Sequence, residues 1–464
     1  MTAKRTTAGA ALAGLALLTA VGGCTPGGQT VPEKGAIVLA TGSDLSSSGV
    51  RQDLIRAWEK RTGHTVRIVK LPDTADGQRS QLLAAGQSGN GGYDVLNLDV
   101  AWTAEFAEAG VIRPWPASLD GDFLGSVAKT VEYDGKVWGV PFNTDAGLLY
   151  YRKDLLDAHG HHRPPANWGE LKAWALQAAD AYNRRSDQDA RAGKKKRPRM
   201  YGMVAQLRPY EGLTVNTLES AWANGGDPYA TGFAKGEQVG ALQLGIADLK
   251  DRLGTLMPHE AVTMDETESR RWFADGRAVF MRNWPVEYAS VAEKLTAGTT
   301  FDVAQLPARP SDGRRLSVLG GQNLAISAGS KRPAGARALI EALTDPGSER
   351  CLLERGFAAT RDSAYREGAT APRCPLPPVG AEHGATGQPE PRPDPRTLHD
   401  ALMAAAPRPR SAHYQTFSKV LQLGVAAYLN GSGGTAIADR LARQADDALG
   451  GRGTPQERRP ADDG

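Results

Sequence analysis

Trp284 stands in the stretch "AVFMRNWPVEYA", at the end of an apolar run and directly before a proline that stops the run from continuing as strand or helix. A large flat ring at such a point serves either core packing or a flat ligand. Two acids occupy comparable positions. Asp44 follows "AIVLATGS" and Asp99 ends "DVLNLD". Carboxylates at neighbouring strand ends can form the polar rim of a cleft. Asp is also favoured at helix starts, so capping competes with that reading, most strongly for Asp99, which directly precedes a helical pattern. Asn143, Thr144 and Asp145 are polar residues wedged between two apolar stretches, where a chain can cross between domains. Hydrolytic and phosphate-handling chemistries lack their usual marks: there is no Gly-x-Ser-x-Gly elbow, phosphate loop or His-Glu-x-x-His. "HGHH" at 159–162 and "PHE" at 258–260 invite a metal, but the first reads as a loop, and eight histidines in 464 residues are unremarkable; no metal site is assigned.

The elements that must position these residues alternate. "AIVLAT", "TVRIVKL" and "YDVLNLD" read as strands. Between and after them, "SSSGVRQDLIRAWEKRTG", "DGQRSQLLAAGQ" and "AWTAEFAEAG" read as helices, the first capped by serines and stopped by Gly63. This alternation predicts α/β architecture with a parallel sheet, whose ligands bind beyond the carboxyl ends of the strands. Farther along, "NWGELKAWALQAADAYN" is helical, and the charge run "RRSDQDARAGKKKRPR" reads as a solvated loop interrupting it. Trp102 and Trp222 sit at helical spacing and read as core, the alternative being that either touches the cleft.

A chain of 464 residues is too long for one ordinary core. With 41% apolar residues it is globular, and a net charge of +3 without a basic aromatic stripe gives no sign of nucleic-acid binding. Lys4 and Arg5 precede a small-residue apolar segment too short for a comfortable transmembrane helix. Val21, Gly22, Gly23 and Cys24 then resemble a bacterial lipobox, the alternative being an ordinary secretory signal with an incidental cysteine. Residues 1–23 are thus read as a signal peptide, Cys24 as the lipidated residue and 24–35 as a tether holding the protein to the outer face of the cell membrane. Export implies an oxidising compartment, in which Cys351 and Cys374 are expected to pair, with two free thiols as the alternative.

Six stretches, in order, carry a resemblance: "YDVLNLDVAWTAEFAEAGVI", "VPFNTDAGLLYYRKDLL", "YEGLTVNTLESAWANGG", "FADGRAVFMRNWP", "LGGQNLAIS" and "PRPRSAHYQTFSKVLQ". From about residue 36 to 449 the chain resembles the extracytoplasmic solute-binding proteins of ABC importers, within them the maltose- and trehalose-binding group. The resemblance implies a two-lobed periplasmic-binding-protein-like fold, with a hinge and an interlobe ligand cleft. It puts residues 36–144 and 301–344 in the first lobe, 145–300 and 345–450 in the second, and a disordered tail at 451–464. It implies a monomer that binds a disaccharide such as trehalose or maltose, closes over it and presents it to permease subunits, with no cofactor and no catalysis. An oligosaccharide, peptide or polyamine ligand is the alternative; a glycosidase is a remoter one, since it needs two carboxylates at a defined separation. By resemblance, Trp284 is a platform for the C–H face of a pyranose, surrounded by Asp99, Asp145, Asn143 and Glu211 as hydrogen-bonding groups. Gly320 and Gly321 let backbone approach the ligand, Gln322 extends the rim, Arg410 forks onto sugar oxygens, and Asp44 completes the set.

Overall fold

The computed structural model describes residues 35–44, 49–89, 92–230, 232–234, 236–368, 371–377, 391–432 and 437–452. The expected signal peptide, Cys24, the tether up to residue 34 and the tail from residue 453 lie outside the described residues. The described residues, from Gly35 onward, form one compact unit.

Two sheets organise it. The first has the order β2 (Val66–Lys70), β1 (Ile37–Thr41), β3 (Val95–Asp99), β11 (Leu319–Ile326), β6 (Val140–Ala146). β1 runs parallel to β2 and β3, and β11 lies antiparallel between β3 and β6. β1 is buried along its whole length, as its unbroken apolar sequence requires of a strand covered on both faces. Helix Val50–Thr62 buries Leu54, Ile55 and Trp58 and stops at Gly63, which takes the left-handed conformation at φ 75°. Gly49 precedes that helix, and the serines expected to cap it lie outside the described residues. The second sheet has the order β10 (Asp302–Gln305), β7 (Leu148–Tyr151), β9 (Ala278–Asn283), β8 (Tyr201–Val204). A two-stranded hairpin, β4 (Glu132–Tyr133) with β5 (Lys136–Val137), completes the strands.

The chain crosses from the first sheet to the second at Gly147, the single residue between β6 and β7. It returns between β10 and β11, which corrects the expected boundary at residue 301: β10 pairs antiparallel with β7 and belongs to the second sheet. The boundary at 345 also moves. Helix Pro346–Glu354 packs in the first lobe, where Cys351 and Leu352 share a buried cluster with Leu54, Trp58 and Leu339. A disulfide joins Cys351 to Cys374. The charge run at 184–199 is half helix, not loop throughout. Helix Trp168–Arg191 continues into it as far as Arg191, because Arg, Gln and Ala favour helix as well as solvent. The following residues fold back onto that helix, Arg197 N–H donating to Ser186 Oγ at 2.9 Å and Met200 N–H to Asn183 Oδ1 at 2.9 Å.

One buried apolar cluster draws on both lobes. Trp102 and Phe106, following β3, share it with Val215, Leu218 and Trp222 of helix Glu211–Ala223 and with Tyr414 and Phe417 of helix Tyr414–Leu429. Trp102 and Trp222 are therefore core residues, as their spacing predicts.

Candidate functional site

Asp99 closes β3 and Glu211 opens a second-lobe helix, and one guanidinium reaches both. Arg408 donates from Nη2 to Asp99 Oδ1 at 2.6 Å and from Nη1 to Glu211 Oε1 at 2.7 Å. Asp99 Oδ1 also accepts from Ala101 N–H at 2.8 Å, so the capping role and the cleft role are filled by the same oxygen. Glu211 accepts further from Tyr414 Oη at 2.5 Å and Ser418 Oγ at 2.7 Å. Burial disfavours charge on Arg408, but Asp99, Tyr414 and Glu211 outweigh it and hold the guanidinium protonated beyond its ordinary range. Burial also raises the Glu211 carboxyl, against the pull of Arg408. Arg408 Nε is buried without a hydrogen-bond partner among the described residues.

Trp284, half-buried, sits just past β9. Its carbonyl accepts from Tyr150 Oη at 2.7 Å, and its Nε1–H donates to Glu266 Oε1 at 3.3 Å. The Arg282 guanidinium carbon lies over the ring, 3.9 Å from its centroid. Gly320 meets the benzo edge: a Cβ there would stand 3.1 Å from Trp284 Cζ3 and 3.2 Å from Asp145 Cβ. The indole and Asp145 thus flank a strip of bare backbone. Asp145 Oδ1 is buried with no hydrogen-bond partner among the described residues. Burial pushes this carboxyl up to about 7, opposed by Arg282 and reinforced by Asp99.

Pairing in the first sheet brings the other expected residues alongside. Gln322 stands opposite both Asp99 and Asn143, and Gly320 opposite Asp145. Gln322 Oε1 accepts from Asn97 Nδ2 at 2.6 Å, and Asn97 also donates to Thr41 Oγ1 at 2.9 Å. Gly321 has φ 115°, and a Cβ on it would fall 2.4 Å from the Asn143 carbonyl oxygen, so only glycine fits.

Two residues expected at the site do other work. Asp44 Oδ2 accepts from Arg51 N–H at 3.0 Å at the start of helix Val50–Thr62, the capping alternative. Arg410 is outside the carboxylate cluster. It donates to the Lys129 carbonyl at 2.9 Å and lines a separate groove of about 540 Å³ with the Glu132–Val137 hairpin. Arg408, two residues earlier, occupies the place expected of it, because Ala406 pairs with Val318 beside β11 and so carries Arg408 to the sheet ends. Sequence reasoning passed over Arg408, Arg282 and Glu219. The signal for the last two was a charge inside an otherwise apolar strand or helix, which demands a partner. Among the described residues no group of three or more His, Cys, Asp or Glu is arranged to hold a metal, and no helix is long and apolar enough to cross a membrane.

Comparison with known proteins gives this arrangement a context. Residues 53–373 match the bacterial extracellular solute-binding protein family. A Deinococcus radiodurans protein described as a probable ABC transporter-binding protein is 33% identical over 323 residues, 67% of this chain and 72% of that one. The maltotriose-binding protein of Pyrococcus abyssi is 24% identical over 46% of this chain and 41% of its own length. Among solved structures, maltose-bound T. maritima MalE3 superposes with a TM-score of 0.72 at 29% identity, covering 89% of this chain and 99% of that chain. The Thermus thermophilus maltotriose-binding protein, at 17% identity, shares the fold with a TM-score of 0.67 over 89% of this chain and all of its own. With two sheets joined through Gly147, a cluster of carboxylates and arginine between them, and these matches over most of its length, the chain belongs to the bacterial extracellular solute-binding proteins and has their two-lobed α/β fold.

Proposed function

We propose that this protein captures a sugar between its lobes, a disaccharide such as maltose or trehalose, and delivers it to the permease of an ABC importer. The observation that carries the reading is that Gly320 lies between the edge of an indole held at Glu266 and Asp145, whose buried Oδ1 has no hydrogen-bond partner among the described residues. The apolar face of a pyranose covers the ring of Trp284, and hydroxyls donate to Asp145 and accept from Arg408 Nε. Asp99, Asn143, Glu211, Gly320, Gly321 and Gln322 complete the lining. The maltose and maltotriose named for the structural and sequence relatives support this ligand class.

Arg408 already touches carboxylates of both lobes, so a ligand bound against it contacts both and favours the closed hinge. Function needs no cofactor and no bond-breaking step. Cys24, lipidated, anchors a monomer at the outer face of the membrane, within reach of the permease. A thermal-shift screen of residues 35–464 against a sugar panel tests the proposal. Maltose or trehalose raises the melting temperature by mass action, and glucose raises it less. A shift with peptides or polyamines alone contradicts it, and release of a monosaccharide makes the protein a glycosidase.

A further inference from the structure

We infer that Arg282, held by Glu219, is a positioning residue that fixes the plane of Trp284 and ties it to two of the segments that cross between the lobes. The inference rests on the reading of Trp284 as the ligand platform.

Arg282 is a cation within an apolar strand, 1% exposed. A charge so placed is costly unless paired and hydrogen-bonded. Glu219, 4% exposed, supplies both. Arg282 Nε donates to Glu219 Oε2 at 2.9 Å and Nη2 to Glu219 Oε1 at 2.6 Å, fork to fork.

The pair has two further neighbours, one at the crossing through Gly147 and one at the return before β11. Val318, just before β11, donates its N–H to Glu219 Oε1 at 3.0 Å. Gly147, between β6 and β7, lies so close that a Cβ on it would stand 2.6 Å from Glu219 Oε1 and 2.7 Å from Arg282 Nη2. Two of the crossings therefore abut one ion pair.

The guanidinium then lies over the indole of Trp284. A planar fork locked by two hydrogen bonds presents a fixed plane, which a flexible ammonium or an aliphatic chain does not. One face of the ring is covered by Arg282, its N–H is on Glu266 and its benzo edge is at Gly320. The ring also packs, partly buried, against the apolar cluster that holds Trp102 and Tyr414, and on the platform reading a ligand stacks on the part of the face away from Arg282. A change in backbone at Val318 or Gly147 moves Glu219, then Arg282, then the ring, so the interlobe angle and the stacking surface are biased by one element.

The test uses the Gly35–Gly464 unit carrying Glu219→Gln with Arg282→Met. This removes both charges together and leaves an acceptor for Val318 N–H, so no charge is stranded. The first readout needs no ligand. Acrylamide quenching due to Trp284, taken as the difference between each protein and its Trp284→Phe counterpart, rises severalfold in the variant. Unchanged quenching in a folded variant overturns the inference. The second readout is sugar affinity against pH. Affinity at pH 7 weakens on the order of tenfold, and the midpoint of the profile moves to higher pH because Asp145 has lost the cation that opposes its protonation. An unmoved midpoint contradicts the assignment. If wild type binds no sugar, the proposed function fails, and the quenching result still decides this inference. If the double variant does not melt cooperatively, Arg282→Lys, which keeps the charge and loses the fork, must show the same rise in quenching, and no rise overturns the inference.

Discussion

Arg408 Nη2 donates to Asp99 Oδ1 at 2.6 Å, joining the end of a first-lobe strand to a cation whose other nitrogen is held by Glu211 of the second lobe. Removing that cation strands two carboxylates. Arg408→Ala is predicted to destabilise the protein by about 3–5 kcal/mol and to abolish sugar binding. Arg408→Lys keeps the charge but cannot span both acids, and loses part of each. Arg410→Ala, which removes only a contact to the Lys129 carbonyl, changes affinity less than about threefold. Calorimetry and thermal melting on the three variants check this ordering.

Stacking a pyranose on the Trp284 ring, away from Arg282, covers roughly half of the side chain, worth about 2–3 kcal/mol. Trp284→Ala is therefore predicted to weaken binding by about 30–150-fold in a folded protein, and Trp284→Phe by less. Titration calorimetry on the two variants gives the values.

The Asp145 carboxyl stands at about 7 in the folded protein, above its ordinary range. The folded state thus holds this proton more tightly than the unfolded chain. The stability it contributes is fully present below about pH 4, declines as pH rises to about 7, and is flat above that. Glu287, pushed up to about 7 chiefly by burial, adds a decline in the same window. Sugar affinity runs the opposite way. A hydroxyl donating to Asp145 needs the carboxylate, so affinity rises from pH 5.5 to about 7 and then levels. Asp145→Asn is predicted to flatten the affinity profile while leaving the Glu287 part of the stability slope. Calorimetry and melting across pH 5.5–8.5 separate the two.

Gly320 and Gly321 are neighbours with different requirements. A Cβ at Gly321 collides with backbone at Asn143 and Thr144 and is strained at φ 115°, so Gly321→Ala is predicted to cost about 2–5 kcal/mol of stability. At Gly320 the neighbours are the Trp284 ring and Asp145 Cβ at just over 3 Å, which yield by a few tenths of an ångström. Gly320→Ala is predicted to cost less than about 1.5 kcal/mol in stability but to weaken sugar binding, because it displaces the platform. Denaturant unfolding read beside the dissociation constant distinguishes the two glycines.

Strands were legible where short, mostly apolar runs alternate with helical patterns, as in β1 and β3. Which sheet a strand joins was not. "TTFDVAQLP" looks the same beside β7 as it would in the first sheet, and only the pairing of Asp302 with Tyr151 settles it. Asp99 and Glu211 were readable as acids at element ends. Their shared partner was not, because Arg408 is 309 residues from Asp99 and its sequence surroundings match those of Arg410. Arg282 and Glu219 each looked like an isolated charge among apolar neighbours, and their complementarity appears only when β9 and the helix Glu211–Ala223 are packed together.

The most direct test of the account is a calorimetric titration of residues 35–464 with maltose and with trehalose, repeated on Trp284→Ala. The account predicts one site per chain for at least one of these sugars in the wild type, and loss of most of that affinity in a variant that still melts cooperatively. Absence of binding to either sugar at millimolar concentration, or equal affinity in the folded Trp284→Ala variant, would contradict it.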